Sequence, residues 1–143
     1  MEPDKGRLDH GAHTLPVRIY FEDTDAGGIA YHASFLRFME RGRTELLRAH
    51  GYHQSDRLHG PDAVAFVVRR LTVEYISPAR LDDVLTVVTR PKELRAATVL
   101  LEQEVRRGDE MLVSATVQVA AVRQGRAVRI PDEFRPALTP PSA

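Results

Sequence analysis

The segment EDTDAGGIAYH, residues 22–32, decides the fold because it joins a strand-like pattern to a helix-like pattern. Upstream, apolar and polar residues alternate from Leu15 to Glu22, which is typical of a β-strand with one buried face. Downstream, apolar residues recur every three or four positions from Ala33 to His50, which predicts an amphipathic α-helix. Gly51 is the expected residue just beyond the helix end. The segment 22–32 is therefore predicted to be a strand-to-helix loop.

This loop carries two carboxylates, a glycine pair and a histidine. Gly27 and Gly28 let the backbone adopt positive φ and approach a ligand closely, and the helix directs unpaired N–H groups towards the loop. Asp25 can act there as a base or nucleophile while the N–H groups stabilise negative charge on an oxygen. Asp23 is interpreted as a turn residue that supports the loop. His32 taken alone is typical of a helix start.

The composition excludes several classes of protein. The chain has 143 residues, the size of one domain, with 20 basic and 20 acidic residues. A nucleic-acid-binding surface needs a concentrated basic excess, so we expect no nucleic-acid partner. The absence of cysteine excludes disulfides and a thiol nucleophile, and it fits a reducing cytoplasm. The spacing of Asp23, Asp25 and His32 matches no common ligand pattern, so we expect neither metal nor cofactor.

The two ends of the chain are polar. Residues 1–14 resemble neither a secretory signal nor a membrane anchor and are predicted to be a flexible N-terminal arm. No apolar run approaches the ~20 residues that cross a bilayer, so any association with the inner membrane would be peripheral. One domain is predicted over residues 15–136, followed by a flexible C-terminal tail over residues 137–143.

The rest of the chain is predicted to be mostly strands. Residues 52–62 contain Gly60-Pro61 and are predicted to form a loop or short helix. Phe66 and Val68 are in the opposite phase to Val67, Leu71 and Val73, which predicts burial on both faces at the start of the strand over residues 63–76. Gly42 within the helix costs roughly 1 kcal/mol relative to alanine, so another backbone is expected close to it. The predicted strands are residues 63–76, 83–89, 97–106 and 111–122, with turns at 90–95 and 107–109 and a short edge strand at 126–130.

Several stretches together resemble a known family. They are YFEDTDAGG (20–28), YHASF (31–35), FMERGRTE (38–45), AFVVRRLTVEY (65–75) and PARLDD (78–83). These stretches resemble the hot-dog-fold acyl-CoA thioesterases related to 4-hydroxybenzoyl-CoA thioesterase, and most closely the branch associated with the Tol-Pal envelope system. The resemblance implies an α+β fold in which an antiparallel β-sheet wraps around one long central α-helix.

The same resemblance implies site residues. In this family the aspartate nearest the glycine pair is the catalytic carboxylate, which here is Asp25, and the histidine that opens the helix is His32. A backbone N–H at or beside His32 is implied to polarise the thioester carbonyl, with Gly27, Gly28, Tyr31 and Asp23 forming and supporting that region.

One position departs from the family pattern. Members of this branch often have a second tyrosine just before the acidic loop, and this chain has Phe21 there. A phenyl ring keeps the apolar contact but lacks the hydroxyl donor. Either that hydroxyl is dispensable, or Tyr20 or Tyr31 supplies one.

The resemblance also implies partners. The substrate is expected to be an acyl-CoA, and its phosphates need cations, for which Arg69, Arg70 and Arg95 are the candidates. Family members place the site between subunits, so a homodimer or homotetramer is expected. An acyl carrier protein or envelope machinery is a further possible partner.

Three functions remain open from the residues. The first is an acyl-CoA thioesterase. The second is a hot-dog hydratase or dehydratase, which would release no thiol. The third is a non-catalytic scaffold that binds acyl-CoA or an acyl carrier, in which Asp25→Asn would leave the cellular role intact.

Overall fold

One antiparallel sheet packs against one long helix in the computed structural model, which describes residues 3–54 and 60–141. The helices are α1 (Ser34–Ala49) and α2 (Arg135–Leu138), and a 3₁₀ turn covers Phe21–Asp23. The strands are β1 (Arg7–Asp9), β2 (Ala12–Arg18), β3 (Ala65–Tyr75), β4 (Val84–Leu94), β5 (Thr98–Arg107), β6 (Glu110–Arg123) and β7 (Arg126–Ala127).

The strand order is β1-β2-β4-β5-β6-β3, with β7 also paired to β6. All of these pairs are antiparallel. Strand β3 therefore lies at one end of the sheet, although it precedes three of the strands between itself and β2 in the sequence. Within the described part of the chain, its outer edge has no strand neighbour.

Helix α1 packs against the core face of the sheet because its apolar residues share one face. Phe35, Phe38, Met39, Leu46 and Leu47 are buried at spacings of three and four residues. The first three belong to a core cluster around the start of the helix, and the last two belong to a second cluster around its end. The helix thus bridges two packed regions of one sheet.

The main predictions for this architecture are confirmed. Helix α1 begins and ends one residue inside the predicted bounds, and Gly51 has φ of +90° just beyond it. In β5 and β6 the apolar phase is buried and the polar phase is at least partly accessible over most of their length. Of the predicted loop over residues 52–62, residues 55–59 lie outside the described part of the chain.

The predicted flexible ends are partly wrong. Residues 7–14, assigned to the arm, contain β1 and the start of β2, which pair as a hairpin. His13 is fully buried there, so a polar residue occupies an inward position that the sequence pattern did not reveal. In the predicted tail, Ala137 and Leu138 are buried in α2 against the second core cluster.

Three local predictions are also corrected. Strand β4 continues through Pro91, where a predicted turn is replaced by a register shift before Glu93. The start of β3 is not buried on both faces, because β3 is an edge strand and Val68 remains 47% exposed. The groups close to Gly42 are side chains rather than backbone, since a Cβ at residue 42 would lie 2.7 Å from Thr89 Oγ1.

Candidate active site

The acidic loop is a closed turn between the 3₁₀ segment and helix α1. Thr24 pairs with Ala30 in an antiparallel bridge, and the Tyr31 N–H donates to the Asp23 carbonyl oxygen at 2.8 Å. Gly28, at the tip, has φ of +83°, a conformation that favours glycine. The returning arm is fixed to the segment before β4 by the bridge between Ile29 and Arg80.

Asp25 is exposed at this turn, and its two carboxylate oxygens differ. Its Oδ1 accepts a hydrogen bond of 2.8 Å from the Gly27 N–H and a longer one of 3.4 Å from the Ile29 N–H. A Cβ at residue 27 would lie 3.2 Å from the same Oδ1, so glycine there leaves room for the carboxylate. Among the described residues, Oδ2 has no partner. One oxygen is therefore held by the loop and the other faces solvent.

Asp23 has the opposite environment, because it is buried with 5% of its surface exposed. Its Oδ2 accepts the Tyr20 N–H at 2.9 Å, and its Oδ1 lies 3.5 Å from Arg37 Nη2. Its carbonyl oxygen accepts the Ser34 hydroxyl at 3.1 Å in addition to the Tyr31 N–H. These contacts hold the loop against the first turn of α1.

The backbone donors at the helix start are largely occupied. The N–H groups of Ser34, Phe35 and Leu36 donate to carbonyl oxygens three residues earlier, at 2.8 to 3.3 Å. In the described structure the N–H groups of His32 and Ala33 have no acceptor. The donors left for a ligand oxygen are therefore at and just after His32, rather than within the helix proper.

The His32 side chain is exposed and lies among aromatic rings. Its ring centroid is 4.5 Å from that of Tyr31 and 6.0 Å from that of Tyr75, which meets it edge-on. The Tyr75 hydroxyl donates to the His32 carbonyl oxygen at 2.9 Å. Burial raises the pKa of the Tyr75 hydroxyl, so it remains a protonated donor at neutral pH.

Tyr75 was missed as a site residue by the sequence analysis. It lies 43 positions from His32 and ends an edge strand, so no local motif joins the two residues. Arg80 was also missed as a cation beside the loop, although its backbone pairs with Ile29. The only signal for them in the sequence was their position in stretches that resemble the family: Tyr75 ends AFVVRRLTVEY, and Arg80 lies in PARLDD.

The atypical Phe21 lies in the 3₁₀ turn with 81% of its surface exposed. Tyr20 and Tyr31, the two tyrosines that could supply a hydroxyl, are also exposed. Phe21 therefore presents an apolar ring to solvent at the edge of the loop in the isolated chain.

Two of the three predicted CoA-binding arginines come together. Arg70 and Arg95 line a cavity of about 260 Å³ with Thr98, Thr116 and Gln118, and Arg69 does not line it. Arg95 also forms an ion pair of 2.8 Å with Glu93. A register shift between Val68 and Arg70 interrupts the pairing of β3 with β6 at residue 69.

The described residues contain neither a metal-binding cluster nor a membrane-spanning helix. No group of three or more His, Asp or Glu side chains is arranged to hold a metal ion in residues 3–54 and 60–141. No helix in these ranges has the length and apolar character needed to span a membrane.

Comparison with known proteins identifies relatives along almost the whole chain. Residues 27–114 match the family model of the Thioesterase superfamily. The chain is 46% identical over 133 residues to the acyl-CoA thioesterase YbgC of Haemophilus influenzae, covering 92% of this chain and 96% of that protein.

Solved structures agree with this fold. A probable thioesterase from Bartonella henselae is 37% identical with a TM-score of 0.80, covering 84% of this chain and 99% of that chain. A 4-hydroxybenzoyl-CoA thioesterase solved with 4-hydroxybenzoyl-CoA has a TM-score of 0.80 and covers 90% of this chain and 99% of that chain. It is 19% identical, so that likeness concerns the fold alone. The predicted hot-dog fold is confirmed, and the chain belongs to the thioesterase superfamily.

Proposed function

We propose that this protein hydrolyses acyl-CoA thioesters to a free acid and CoA, with Asp25 as the base or nucleophile. The observation that carries the proposal is the Asp25 carboxylate, with one oxygen held at 2.8 Å by the Gly27 N–H and the other without a partner in the described residues. A fixed and accessible carboxylate oxygen is what either role requires. The substrate class is supported by the name of the Haemophilus influenzae relative.

Two chemical routes use this oxygen. As a base, Asp25 takes a proton from water, and the water oxygen adds to the thioester carbonyl carbon. The C–S bond then breaks, and the CoA thiolate leaves and takes up a proton. As a nucleophile, Asp25 itself adds to that carbon and expels the thiolate, and water then hydrolyses the resulting anhydride.

The unpaired N–H groups of His32 and Ala33 are proposed to bind the carbonyl oxygen as negative charge develops on it. Loss of one such donor typically costs ~2.7–4 kcal/mol of transition-state stabilisation. The His32 side chain, exposed beside Tyr31, is proposed to orient the substrate rather than to transfer a proton.

The CoA phosphates are proposed to bind exposed arginines, with Arg70 and Arg95 as one pair and Arg69 as a separate candidate. Substitution of a residue that binds only the CoA portion should raise KM and leave kcat unchanged. Arg70→Gln tests this role more directly than a change at Arg95, because Arg95 already forms an ion pair with Glu93.

A homodimer through β3 is proposed for the working enzyme. The outer edge of this strand is unpaired in the described structure, and it exposes Val67, Val68 and Tyr75, followed by Ile76. An open edge of this kind is a template for another strand. Antiparallel pairing of two copies about a two-fold axis would cover these apolar residues.

The deciding experiment is thiol release from short-chain, long-chain and aromatic acyl-CoAs, comparing the native protein with Asp25→Asn. The chain has no cysteine, so it adds no background to the thiol reagent. We expect kcat to fall by ~10² or more in Asp25→Asn. The matched control is Asp109→Asn, an exposed aspartate in the β5–β6 turn, which should hydrolyse like the native protein.

Two results would contradict the proposal. Asp25→Asn could hydrolyse as fast as the native protein, which would remove the role of the carboxylate. Alternatively, no acyl-CoA could release thiol, which would favour the hydratase function or a non-catalytic acyl-binding scaffold.

A further inference from the structure

A separate cavity lies along the second half of helix α1, beyond the end that carries the Asp25 loop. It has a volume of about 280 Å³, near the lower limit of the ~300–1,000 Å³ typical of small-molecule sites. Eight of the twelve described residues that line it are apolar, and those on α1, β3, β5 and β6 include Leu46, Leu47, Phe66, Val99, Leu101 and Val119. Such walls suit an aliphatic chain.

One wall of this cavity is the side chain of Arg43, which is half-buried. Its Nη1 donates a hydrogen bond of 3.0 Å to Gln103 Oε1. Among the described residues Arg43 forms no ion pair, and its remaining N–H donors have no protein acceptor. A guanidinium carries five such donors. Most of its hydrogen-bonding capacity is therefore unused in the protein.

Gln103 holds this guanidinium in position. It is fully buried, and its Nε2 donates to the Met39 carbonyl oxygen at 2.9 Å and to Thr89 Oγ1 at 2.8 Å. Because a carbonyl oxygen can only accept, the amide nitrogen must face Met39, and Oε1 then faces Arg43. Both amide hydrogens and the amide oxygen are thus engaged. One donor of the Arg43 guanidinium is therefore held by a buried side chain whose own hydrogen bonds are all made.

A cation in this position favours an anionic ligand. Burial lowers the pKa of Arg43, and the negative charge of Glu40 opposes that effect. Arginine nevertheless remains protonated in proteins, so the cavity holds a positive charge with unfilled donors. A carboxylate matches the planar guanidinium through two parallel N–H···O bonds. Glu40 also lines the cavity but is exposed, so its own charge is solvated.

We propose that this cavity binds an aliphatic carboxylate, with the carboxylate on the Arg43 guanidinium and the chain against the apolar walls. Two sources carry that chemistry. One is the distal carboxylate of an acyl thioester made from a dicarboxylic acid, and the other is the anion of a free fatty acid.

The first source rests on the proposed function and on the proposed dimer. Two antiparallel copies of β3 run in opposite directions, so the end of one that carries Phe66 lies towards the end of the other that carries Tyr75. Phe66 lines the cavity, and Tyr75 contacts His32. The cavity of one copy would then lie on the side of the other copy's acidic loop.

The binding test is calorimetric titration of the protein with octanoate and with octan-1-ol. We expect octanoate to bind the native protein more tightly than octanol. Replacing Arg43 with methionine should weaken octanoate binding about tenfold or more, as expected for loss of a charge-assisted hydrogen bond, and leave octanol binding unchanged. Arg43→Lys keeps the charge without the planar fork and should bind octanoate with intermediate affinity.

The matched control is Arg41→Met, which lies on the same helix outside the cavity, with its guanidinium carbon 5.7 Å from the centre of the Phe38 ring. It should bind octanoate like the native protein. Equal octanoate affinity in the native, Arg43→Met and Arg43→Lys proteins would overturn the proposal, as would equal affinity of the native protein for octanoate and octanol.

The two sources are separated by kinetics with octanoyl-CoA and its ω-carboxylated counterpart of the same length. If the ligand is a distal carboxylate, kcat/KM favours the ω-carboxylated thioester, and Arg43→Met abolishes that preference. If the ligand is a free fatty acid, octanoate inhibits hydrolysis of both thioesters, and Arg43→Met relieves the inhibition. Absence of thiol release from every thioester would contradict the proposed function. The calorimetric test would still decide whether the cavity binds an aliphatic carboxylate.

Discussion

The Tyr75 hydroxyl donates a 2.9 Å hydrogen bond to the carbonyl oxygen of His32 and so joins the end of edge strand β3 to the entry of helix α1. That carbonyl belongs to the same planar peptide unit as the Ala33 N–H. A bond that fixes the carbonyl therefore also fixes the direction of the N–H. Tyr75 thus positions one of the two proposed donors.

Tyr75→Phe should lower kcat about tenfold, because the His32 carbonyl oxygen loses the shorter of its two hydrogen bonds and keeps only the 3.3 Å bond from the Phe35 N–H. This is less than the ~10²–10³-fold loss that follows complete removal of an oxyanion donor. The unfolding free energy should fall by only ~0.5–1.5 kcal/mol, the net value of one hydrogen bond. Tyr52→Phe is the control, since the Tyr52 ring packs on Phe134 in the second core cluster, away from the start of α1. An unchanged kcat in Tyr75→Phe would remove the positioning role.

Asp23→Ala should lower the unfolding free energy of the protein, because Asp23 supports the loop. The buried carboxylate accepts the Tyr20 N–H and lies beside Arg37, so its removal leaves a donor unpaired. We expect a loss of ~1–3 kcal/mol in urea unfolding. Asp25→Asn keeps an oxygen for the Gly27 N–H and should lie within ~0.5 kcal/mol of the native protein. Equal stability of Asp23→Ala and the native protein would refute the supporting role.

Gly42→Ala should destabilise the protein even though alanine favours helices. The added Cβ would lie 2.7 Å from Thr89 Oγ1 and 2.9 Å from Val87 Cγ1. Overpacking of this kind typically costs ~1–3 kcal/mol, against a gain of ~1 kcal/mol in helix propensity. The Gly42→Ala/Val87→Ala double variant should lose less unfolding free energy than the sum of the losses in the two single variants. The smaller side chain at residue 87 makes room for the added Cβ. A more stable Gly42→Ala protein would contradict this packing.

The buried His13 should make the protein less stable in mild acid. Its Nε2 lies 2.8 Å from the Lys5 carbonyl oxygen and must donate to it, while Nδ1 is buried without a partner in the described structure. Burial is the main cause that lowers the pKa of His13 below 6.5, so the unfolded chain binds the proton more readily. The contribution of neutral His13 to the unfolding free energy is therefore fully present above pH ~6.5. It is lost as the pH falls towards the lowered pKa, by up to ~1.4 kcal/mol per pH unit.

Thermal unfolding between pH 5 and 8 measures this effect. His13→Gln removes the titration and should show a shallower loss on acidification than the native protein. His10→Gln is the control, because the His10 side chain is 95% exposed in the β1–β2 turn and should follow the native curve. Parallel curves for the native protein and His13→Gln would show that another group is responsible.

The edge of β3 gives a prediction about assembly. Val67→Lys places a charge on the open edge and should convert the proposed dimer to a monomer in sedimentation velocity. Val84→Lys changes a valine that is 51% exposed on a different strand and should leave the assembly unchanged. A native protein that sediments as a monomer would contradict the dimer, and a heavier native species would indicate a homotetramer.

Elements that bury one face could be predicted from the sequence, because their periodicity is local. The alternation in β5 and β6 and the helical spacing of Phe35, Phe38 and Met39 are of this kind. The acidic loop could also be located, since its glycines and carboxylates are adjacent in the chain.

Features that depend on distant partners could not be predicted. The contact of Tyr75 with His32 spans 43 positions, and that of Gln103 with the Met39 carbonyl oxygen spans 64. His13 and Gln103 are polar residues at inward positions, so a pattern of apolar residues does not include them. The exposed start of β3 follows from its place at the sheet edge, which depends on the order of all the strands.

Helix α1 carries the acidic loop before its first residue and Arg43 in its second half, with Gly42 packed against the sheet between them. Because a helix has a fixed rise per residue, the distance between these two regions is set by the number of residues rather than by loop conformation. Substitutions around the proposed Arg43 site can thus change its ligand without altering the proposed catalytic carboxylate. A deletion within the helix, by contrast, would rotate and shift the acidic loop relative to the Arg43 cavity.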